Sequence, residues 1–435
     1  MRRERDALGE RELGDDILYG INTLRAKENF DLNQRSVRWE LIEAIVTVKK
    51  AAAITYRRLN PERADVESAI VRACDKILAG GFEDSFPIQA LQGGAGTSTN
   101  MNVNEVLANL ALEDMGEAKG RYDIIHPLDD VNRGQSTNDV CPTALRIAAI
   151  RRLRLLSDEC SKLQTSLQEK ENEWQTVEKI GRTELMDAVP ITLGEEFGAY
   201  AQDRWRIYKV EERLRQVNIG GTAVGLSGGA DRKYRFGVIE ELRRLTGFGL
   251  AAAEYPMDLT QNNDVFVEVS GLLKALTVNM MKIANDIRLM NSGPHGGLRE
   301  LKIKSLQQGS SIMPGKVNPV VPEMVIQCAI QVIANDAAIT MAAAHGEFEL
   351  NAFLPLIADR LLESLELLNR AVSIFREKCV ETLEADESKC KEHLNESYAF
   401  AAAFLPKLGY DVVSGVVKTY PPDEAKKKLE LLSEK

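Results

Sequence analysis

The chain has 435 residues, of which 44% are apolar, so it is long enough to bury a sizeable core and to form two or three domains. A formal net charge of −10, with no basic block beyond the lysines at 426–428, argues against a nucleic-acid partner. No run approaches the roughly 18 uninterrupted apolar residues of a membrane span, and residues 1–16 are too charged for a signal peptide, so we expect a cytoplasmic protein without a membrane partner.

Segments with helical periodicity dominate the sequence, and no stretch repeats a βαβ rhythm. In chain order, the predicted long helices cover 142–176, 191–217, 264–290, 322–344 and about 347–383, the last broken by Pro355. The third runs 27 residues without proline, which corresponds to roughly 40 Å of helix. It is apolar on most faces, which predicts burial inside a bundle. The predicted fold class is therefore all-α, with a central bundle of long helices.

Domain boundaries are expected near residues 137 and 385, where the helix-dense centre gives way to mixed segments. They divide the chain into an N-terminal domain (1–137), a central helix-bundle domain (138–384) and a short C-terminal domain (385–435). Polar, glycine-rich stretches lie between the helices, at 92–102, 127–139, 181–190, 219–231 and 291–318. The candidates for chemistry lie in these stretches.

The stretch GSSIMPGKVNP at 309–319 places two serines, a lysine and an asparagine among glycines and prolines, so it is neither a regular helix nor a strand. Its Gly-x5-Gly-Lys spacing is similar to a phosphate loop. However, Val317 stands where a magnesium-binding Ser or Thr is required, and no apolar strand precedes it. We interpret the stretch as a mobile loop facing a small anion, with a charge from Lys316 and a donor from Asn318.

Three further polar segments have the same character. Residues 93–105 offer Thr97, Ser98, Asn100 and Asn102, residues 134–139 offer Ser136, Thr137 and Asn138, and residues 181–188 offer Arg182, Thr183, Glu184 and Asp187. Each opens with glycine and precedes a helical pattern, so N–H groups at a helix N-terminus are expected to add to anion binding. Helix capping explains any one of them alone, whereas four such clusters indicate an anion-binding site.

Metal and disulfide chemistry are not expected. The six cysteines lack CxxC or CxC spacing and are predicted to be reduced and mostly buried. The four histidines never fall at i, i+4, and no HExxH motif occurs, so we expect no metal or other cofactor. Catalysis would then come from ordinary side chains.

Together these segments resemble the aspartase/fumarase superfamily. Residues 309–323 are similar to its signature loop, and four more stretches match in order: GGAGTSTNMNVNEVLANLAL, HPLDDVNRGQSTNDVCPT, GRTELMDAVPITLGEEF and NDIRLMNSGPHGGLREL. The resemblance runs from about residue 7 to about residue 412, and the N-terminal stretch ALGERELGDDILYGINTLRAKENF is more similar to aspartases than to fumarases. It implies a three-domain α-helical protomer and a homotetramer with a twenty-helix core, whose composite active sites draw on three subunits.

The resemblance also implies a reaction, the reversible anti-elimination of an amine or water from a dicarboxylate to give fumarate. Loss of a proton next to a carboxylate gives an aci-carboxylate with two negative charges, which needs preorganised donors. Ser310 matches the family's catalytic base and would act as an alkoxide stabilised by N–H groups and by Lys316. The expected donors to the aci-carboxylate are Thr97, Ser136, Thr137 and Ser311, while Thr183, Lys316 and Asn318 would hold the other carboxylate and Asn138 would complete the substrate contacts. Closure of the loop would exclude water.

Two departures from the family pattern bear on the substrate. Glu184 stands where many members have His or Gln, and a carboxylate there favours an amine over an alcohol. If Glu184 lies near Glu323, as its counterpart does, one carboxylate stays protonated and the pair can relay a proton to the leaving group. Alternatively, Glu184 only pairs with a nearby Arg or Lys. The second departure is 221–237, which replaces a GTGLN-like stretch and would reshape a wall of the pocket.

The resemblance favours a carbon–nitrogen lyase that converts L-aspartate to fumarate and ammonia. Two other reactions stay open. Fumarate hydration is disfavoured by Glu184 and by the N-terminal match, and the release of a bulkier cationic amine, such as trimethylamine from a betaine, would be similar to the ergothionase-like branch. A non-catalytic structural protein on the same fold is the alternative from another class, against which the retained Ser310, Lys316 and Asn318 argue.

Overall fold

The computed structural model describes residues 1–202, 209–228 and 230–434, and in these ranges it contains sixteen α-helices and eight short strands. In chain order, α1 to α16 are Ile21–Asn29, Trp39–Leu59, Ala64–Leu78, Thr97–Asp114, Thr137–Glu173, Leu193–Ala201, Glu211–Leu214, Arg232–Thr246, Pro256–Gln261, Asp264–Met290, Val320–Ala343, Leu354–Lys378, Glu387–Asn395, Leu405–Leu408, Tyr410–Thr419 and Pro422–Ser433. Strands β1 to β8 are Arg2–Asp6, Gly9–Leu13, Glu178–Thr183, Met186–Thr192, Gln216–Val217, Ala251–Ala252, Leu301–Lys302 and Glu384–Ala385.

The prediction of an all-α protein built on long helices is confirmed. Helix α10 has the predicted bounds of 264–290, and α5 and α11 cover most of the predicted segments 142–176 and 322–344. The strands form only two-stranded sheets: β1–β2, β3–β4 and β7–β8 are antiparallel, and β5–β6 is parallel. They therefore connect helices and do not form a layer of their own.

Two predicted helices are wrong in detail. The segment 191–217 is not one helix, because Gln202 is extended (ψ 141°) after α6 and residues 216–217 form β5, while 203–208 lie outside the described residues. Pro355 does not break a helix either. It is the second residue of α12, and a helix leaves the N–H groups of its first turn without internal partners, so proline is tolerated there.

The chain separates into two compact units, the first of which comprises Met1–Leu155, Ile207–Ala275 and Gln331–Leu367. In this unit α2 packs against α3, α4 and α8. Helix α2 is buried along most of its length, and its buried residues are mainly alanine and β-branched residues. Near its end, Tyr56 stacks on Tyr234 of α8 with ring centroids 4.5 Å apart.

The second unit comprises Leu156–Arg206, Leu276–Ile330 and Leu368–Lys435. Its hairpin β3–β4 packs on α13, and β7 pairs with β8, which ties residues 301–302 to residues 384–385. Helices α15 and α16 enclose a small core of their own, formed by Val413, Val416, Ala425 and Leu429. The division into three sequence domains stays a prediction.

Helix α11 is the one described helix that is long and apolar enough to cross a membrane by length and composition. Glu323, Asn335 and Asp336 interrupt its apolar sequence. Only 33% of its most apolar stretch is buried within the chain, and Ile330 and Met341 are exposed. Exposed apolar residues of this kind are typical of a surface that contacts another chain.

Candidate active site

Two helix N-termini in the first unit carry predicted donors. Gly96 has a left-handed backbone (φ 96°) and precedes α4, which begins at Thr97. Helix α5 begins at Thr137. The side-chain amide of Asn100 donates to Thr137 Oγ1 over 3.3 Å, so the structure brings the 93–105 and 134–139 segments together.

A buried lysine connects to these donors. Lys49 Nζ donates to Asn132 Oδ1 (2.8 Å) and to Gln135 Oε1 (3.0 Å), and Asn100 and Asn104 donate to the same Asn132 oxygen. Burial lowers the pKa of Lys49 to about 7. Sequence reasoning missed Lys49, because a lysine in a helix usually reaches solvent. The one available signal was that Lys49 and Lys50 stand directly before the apolar run AAAI.

Asp139 is a second residue that sequence reasoning missed. Its buried carboxylate accepts hydrogen bonds from the N–H groups of three residues: Ser136 (2.9 Å), Gly220 (3.0 Å) and Thr222 (2.9 Å). Burial raises its pKa to about 7. Asn138 Nδ2 also donates to the carbonyl oxygen of Ala223 over 2.9 Å. The start of the unusual 221–237 stretch therefore contacts one predicted substrate residue, Asn138, while residue 229 within the stretch lies outside the described structure.

In the second unit, Ser310 begins a turn in which backbone N–H groups point at the side-chain oxygen of Ser310. Ser310 Oγ accepts hydrogen bonds from the N–H groups of Ile312 (3.2 Å) and Met313 (3.1 Å). Donors to a hydroxyl oxygen stabilise its ionised form, as the assignment of a serine base requires. The side chains of Ser311 and Lys316 are exposed and have no hydrogen-bond or ion-pair partner among the described residues, so they are free to meet a ligand.

The loop that carries Ser310 closes on itself. Asn318 Nδ2 donates to the carbonyl oxygen of Gly309 over 2.6 Å. A Cβ atom at Gly309 would collide with the carbonyl oxygen of Lys316, so only glycine permits this crossing of the chain. The serine, the lysine and the asparagine are thus presented by one closed segment.

A cavity of about 510 Å³ lies beside this loop. Its charged lining residues are Arg288, Lys316 and Glu323, and Asn318 lines it as well. Arg288 Nη2 lies 3.7 Å from Glu323 Oε1, and Arg288 Nε is buried without a hydrogen-bond partner in the described structure. Sequence reasoning missed Arg288, although it lies in the NDIRLM stretch, because only the fold places it against Glu323.

Thr183 and Glu184 lie at the tip of the β3–β4 hairpin. Residues 181–188 precede α6 as predicted, but β4 separates the two, so Thr183 and Glu184 do not lie at the helix N-terminus. Thr183 pairs with Met186, and the two turn residues Glu184 (φ 55°) and Leu185 (φ 63°) are both left-handed. Such turns usually contain Asn-Gly, since other residues are strained there. Both Thr183 and Glu184 are exposed.

Glu184 makes no hydrogen bond or ion pair with any residue that the structure describes, including Glu323. Its carboxylate is therefore available to another group. The described residues contain no cluster of three or more His, Cys, Asp or Glu side chains able to hold a metal ion. All six cysteines are free, and five of them are buried, which confirms the prediction that most are buried.

The comparisons with known proteins give one family. The sequence profile of a family described as Lyase matches residues 9–334. Aspartate ammonia-lyase of Bacillus subtilis is 43% identical over 421 residues, which cover 96% of this chain and 89% of that enzyme. Aspartate ammonia-lyase of Helicobacter pylori (strain J99) is 42% identical over 424 residues, which cover 96% of this chain and 91% of that enzyme.

Solved structures agree with the sequence relatives. The fumarate lyase:delta crystallin from Brucella melitensis, bound to cobalt, superposes with a TM-score of 0.94 at 43% identity, covering 100% of this chain and 98% of that one. Recombinant class II fumarase from Schistosoma mansoni gives a TM-score of 0.95 at 31% identity, covering 99% and 95%. The shared fold therefore extends over the whole chain.

Proposed function

The chain belongs to the aspartase/fumarase superfamily, and from this premise we propose that it is an ammonia-lyase that converts L-aspartate to fumarate and ammonia by a reversible anti-elimination. The observation that carries the proposal is the Ser310 turn, in which two backbone N–H groups point at Oγ on the loop that also presents Lys316 and Asn318. Homology to aspartate ammonia-lyases over nearly the full length supports ammonia as the leaving group.

In the proposed reaction, the Ser310 alkoxide removes the C3 proton of aspartate. The electron pair of that C–H bond moves into the adjacent carboxylate and gives an aci-carboxylate. The pair then returns to form the C2–C3 double bond, while the C2–N bond breaks and its electrons leave with nitrogen. The N–H groups of Ile312 and Met313, together with the Lys316 charge, lower the energy of the alkoxide.

The two carboxylates of the substrate are assigned to different donors. Thr97, Ser136, Thr137 and Ser311 would stabilise the aci-carboxylate, with Asn138 beside them. Preorganised donors of this kind are worth several kcal/mol each in a water-free site. Thr183, Lys316 and Asn318 would hold the other carboxylate. The hydrogen bond from Asn100 to Thr137 Oγ1 supports the assignment of Thr137, because it holds that hydroxyl in place without substrate.

Glu184 and Glu323 are proposed to handle the leaving group. An ionised carboxylate at Glu184 would accept hydrogen bonds from the substrate ammonium, and a Glu184–Glu323 pair would share one proton. Because Glu184 has no partner within the described chain, we assign its meeting with Glu323 to a composite site formed by several subunits.

The proposed assembly is a homotetramer with a twenty-helix core. The exposed apolar residues Ile330 and Met341 on α11, and Val278 on α10, support it. Such helices would bury well above the roughly 2,000 Å² at which large obligate interfaces begin. Light scattering should give a tetramer, and an active monomer would contradict both the assembly and the composite site. A cytoplasmic location is proposed as well, and the six free cysteines support a reducing compartment.

The assay that tests the reaction follows the ultraviolet absorbance of the fumarate double bond. The enzyme is mixed separately with L-aspartate, L-malate and a panel of trimethylammonium betaines. Aspartate alone should produce fumarate at a high rate. Turnover of malate in preference to aspartate would replace the proposal with fumarate hydration, and turnover of none would favour a non-catalytic protein.

A bulkier cationic amine is the second candidate substrate. Glu184 favours it, because an exposed carboxylate without a partner can face a quaternary ammonium that donates no hydrogen bond. The 221–237 stretch, bound to Asn138 through Ala223, would supply the room. Release of trimethylamine from a betaine, with an unsaturated acid as the second product, would establish this alternative.

A further inference from the structure

A fully buried carboxylate in the second unit lies outside the proposed machinery. Glu300 has 0% of its surface exposed. Arg182 holds it with two nitrogens (2.7 and 3.1 Å), Lys179 Nζ lies 3.2 Å away, and His393 Nδ1 lies 3.3 Å away. Three segments of the chain, β3, the residues before β7, and α13, therefore meet at this one side chain.

The cluster formed by Glu300, Arg182, Lys179, Glu196 and His393 has balanced charges. Lys179 also bonds to Glu196 over 2.6 Å, so two cations face two carboxylates before His393 is counted. Burial raises the pKa of Glu300, but Arg182 and Lys179 outweigh it and hold that pKa below its ordinary value. A buried ion pair of this kind contributes little net stability compared with apolar packing, although removing one partner is costly. The cluster is therefore better suited to fixing the positions of the three segments that meet at Glu300 than to stabilising the fold.

The backbone of β3 is adapted to reach Glu300. In a regular strand, residues 179 and 182 would point to opposite faces, because side chains alternate. A register shift between Ile180 and Arg182 interrupts that alternation, and bulges of this type redirect a side chain. As a result, Lys179 and Arg182 both contact the same carboxylate.

The residues that follow Arg182 are Thr183 and Glu184, at the strained tip of the hairpin. Both turn residues, Glu184 and Leu185, are left-handed without being glycine, so the turn does not define its own geometry well. The firm contact nearest the tip is the pair between Arg182 and Glu300. On the other side, the Glu300 carbonyl oxygen accepts the N–H of Asp386 over 2.9 Å, which binds the C-terminal segment to the cluster.

We propose that Glu300 is a positioning residue, which acts through Arg182 to fix the hairpin that presents Thr183 and Glu184 to the substrate. His393 completes the same cluster and gives the C-terminal segment a part in it. The inference rests on the proposed function, since it assumes that Thr183 and Glu184 contact the substrate.

The test compares Arg182→Met with a matched control, Arg376→Met. Both arginines belong to the second unit, their side chains are 16% and 15% exposed, and both pair with glutamates. Arg376 contacts Glu377 and Glu381 at the end of α12, away from the hairpin. We expect Arg182→Met to lower kcat/KM for aspartate by about tenfold or more, changing KM and kcat together. Arg182→Lys should recover part of that loss, and Arg376→Met should keep both parameters within about twofold of the parent.

Hydrogen exchange measured by mass spectrometry gives a second readout that needs no turnover. Amides in 178–192 should exchange faster in Arg182→Met than in Arg376→Met, because the tip has lost its anchor. If Arg182→Met does not fold, the charge-balanced Arg182→Met/Glu300→Gln pair and His393→Leu are measured in its place, with the same expectations in smaller degree for His393→Leu.

The outcomes separate the two proposals. Unchanged exchange in 178–192 together with unchanged kinetics would overturn the positioning role, whatever the substrate. Faster exchange in a protein whose parent does not act on aspartate would leave the anchoring intact and overturn the proposed function. Faster exchange with parent-like kinetics on an active enzyme would also overturn the inference, because the hairpin would then not govern catalysis.

Discussion

The polar side chains of the two units are held in different ways. In the first unit, Thr137 is 9% exposed and accepts a hydrogen bond from Asn100, which also donates to Asn132, the acceptor of the buried Lys49. In the second unit, the Ser310 loop bonds mainly to itself, and Ile312 within it is 83% exposed. The difference fits the proposed roles, since donors that must be ready before charge develops would be fixed, whereas the proposed base and cation lie on an exposed loop.

The largest effect is expected at the base. Ser310→Ala removes the proposed acceptor of the C3 proton, and general bases typically contribute about 10² to 10⁴ in rate. We expect kcat to fall by that factor with little change in KM, measured by fumarate absorbance. Deuterium exchange at C3 should fall equally. The control is Ser305→Ala, which changes an exposed serine of the preceding segment and should leave kcat and KM unchanged. A fast Ser310→Ala would place the base outside the mobile loop.

The next effect concerns the cation of the same loop. Lys316→Ala leaves a substrate carboxylate without its charge partner, a loss of about 2–4 kcal/mol, or roughly 30- to 1,000-fold in kcat/KM. KM should rise and kcat should fall together, because the contact exists in both ground and transition states. Lys304→Ala, an exposed lysine nearby, should have no effect. Parent-like kinetics for Lys316→Ala would mean that the carboxylate binds elsewhere.

Glu184 tests the hairpin rather than the loop. Glu184→Gln keeps the shape and removes the charge, which should cost about 1.5–3 kcal/mol in amine elimination, roughly ten- to a hundredfold. Proton abstraction should survive, so deuterium incorporation at C3 should outpace product formation. Glu178→Gln, an exposed acid at the start of β3, is the control. Equal rates for parent and Glu184→Gln on every amine would reduce Glu184 to a structural role.

The last effect is on stability rather than on rate, and it concerns the buried Lys49. Burial lowers the pKa of Lys49 to about 7, whereas lysine in an unfolded chain titrates near 10.4. Between about pH 7 and 10 the unfolded chain thus binds more protons, and stability should rise with pH. Lys49→Met should abolish that rise in urea unfolding, while Lys50→Met, which loses only a surface pair with Asp75, should keep it. If the free energy of unfolding rises equally with pH in the two variants, Lys49 is charged throughout this pH range.

The sequence was sufficient for features that depend on local pattern. The segment 264–290 has no proline and is apolar on most faces, and it is one helix with those bounds. The polar side chains at the starts of α4 and α5 were also found, because a glycine shortly precedes each helix start.

Features that depend on distant partners could not be predicted. Lys49 is buried because Asn132 and Gln135, more than eighty residues away, receive its ammonium. The hairpin was missed for a local reason, since its turn is Glu-Leu rather than Asn-Gly and Pro190 interrupts its second strand. The contact between Arg288 and Glu323 depends on how α10 and α11 pack, which periodicity does not reveal.

The three hydrogen bonds to Asp139 have a consequence for evolution and for engineering. One carboxylate binds both Ser136 and the residues Gly220 and Thr222. Substitutions that enlarge the 220–223 loop to admit a larger amine would therefore also move Ser136. In the proposed mechanism, substrate range and catalytic power are coupled through this shared anchor, so variants with a broader range should first lose speed on aspartate. Directed evolution toward larger amines would then need compensating changes around Asp139 before the original rate returns.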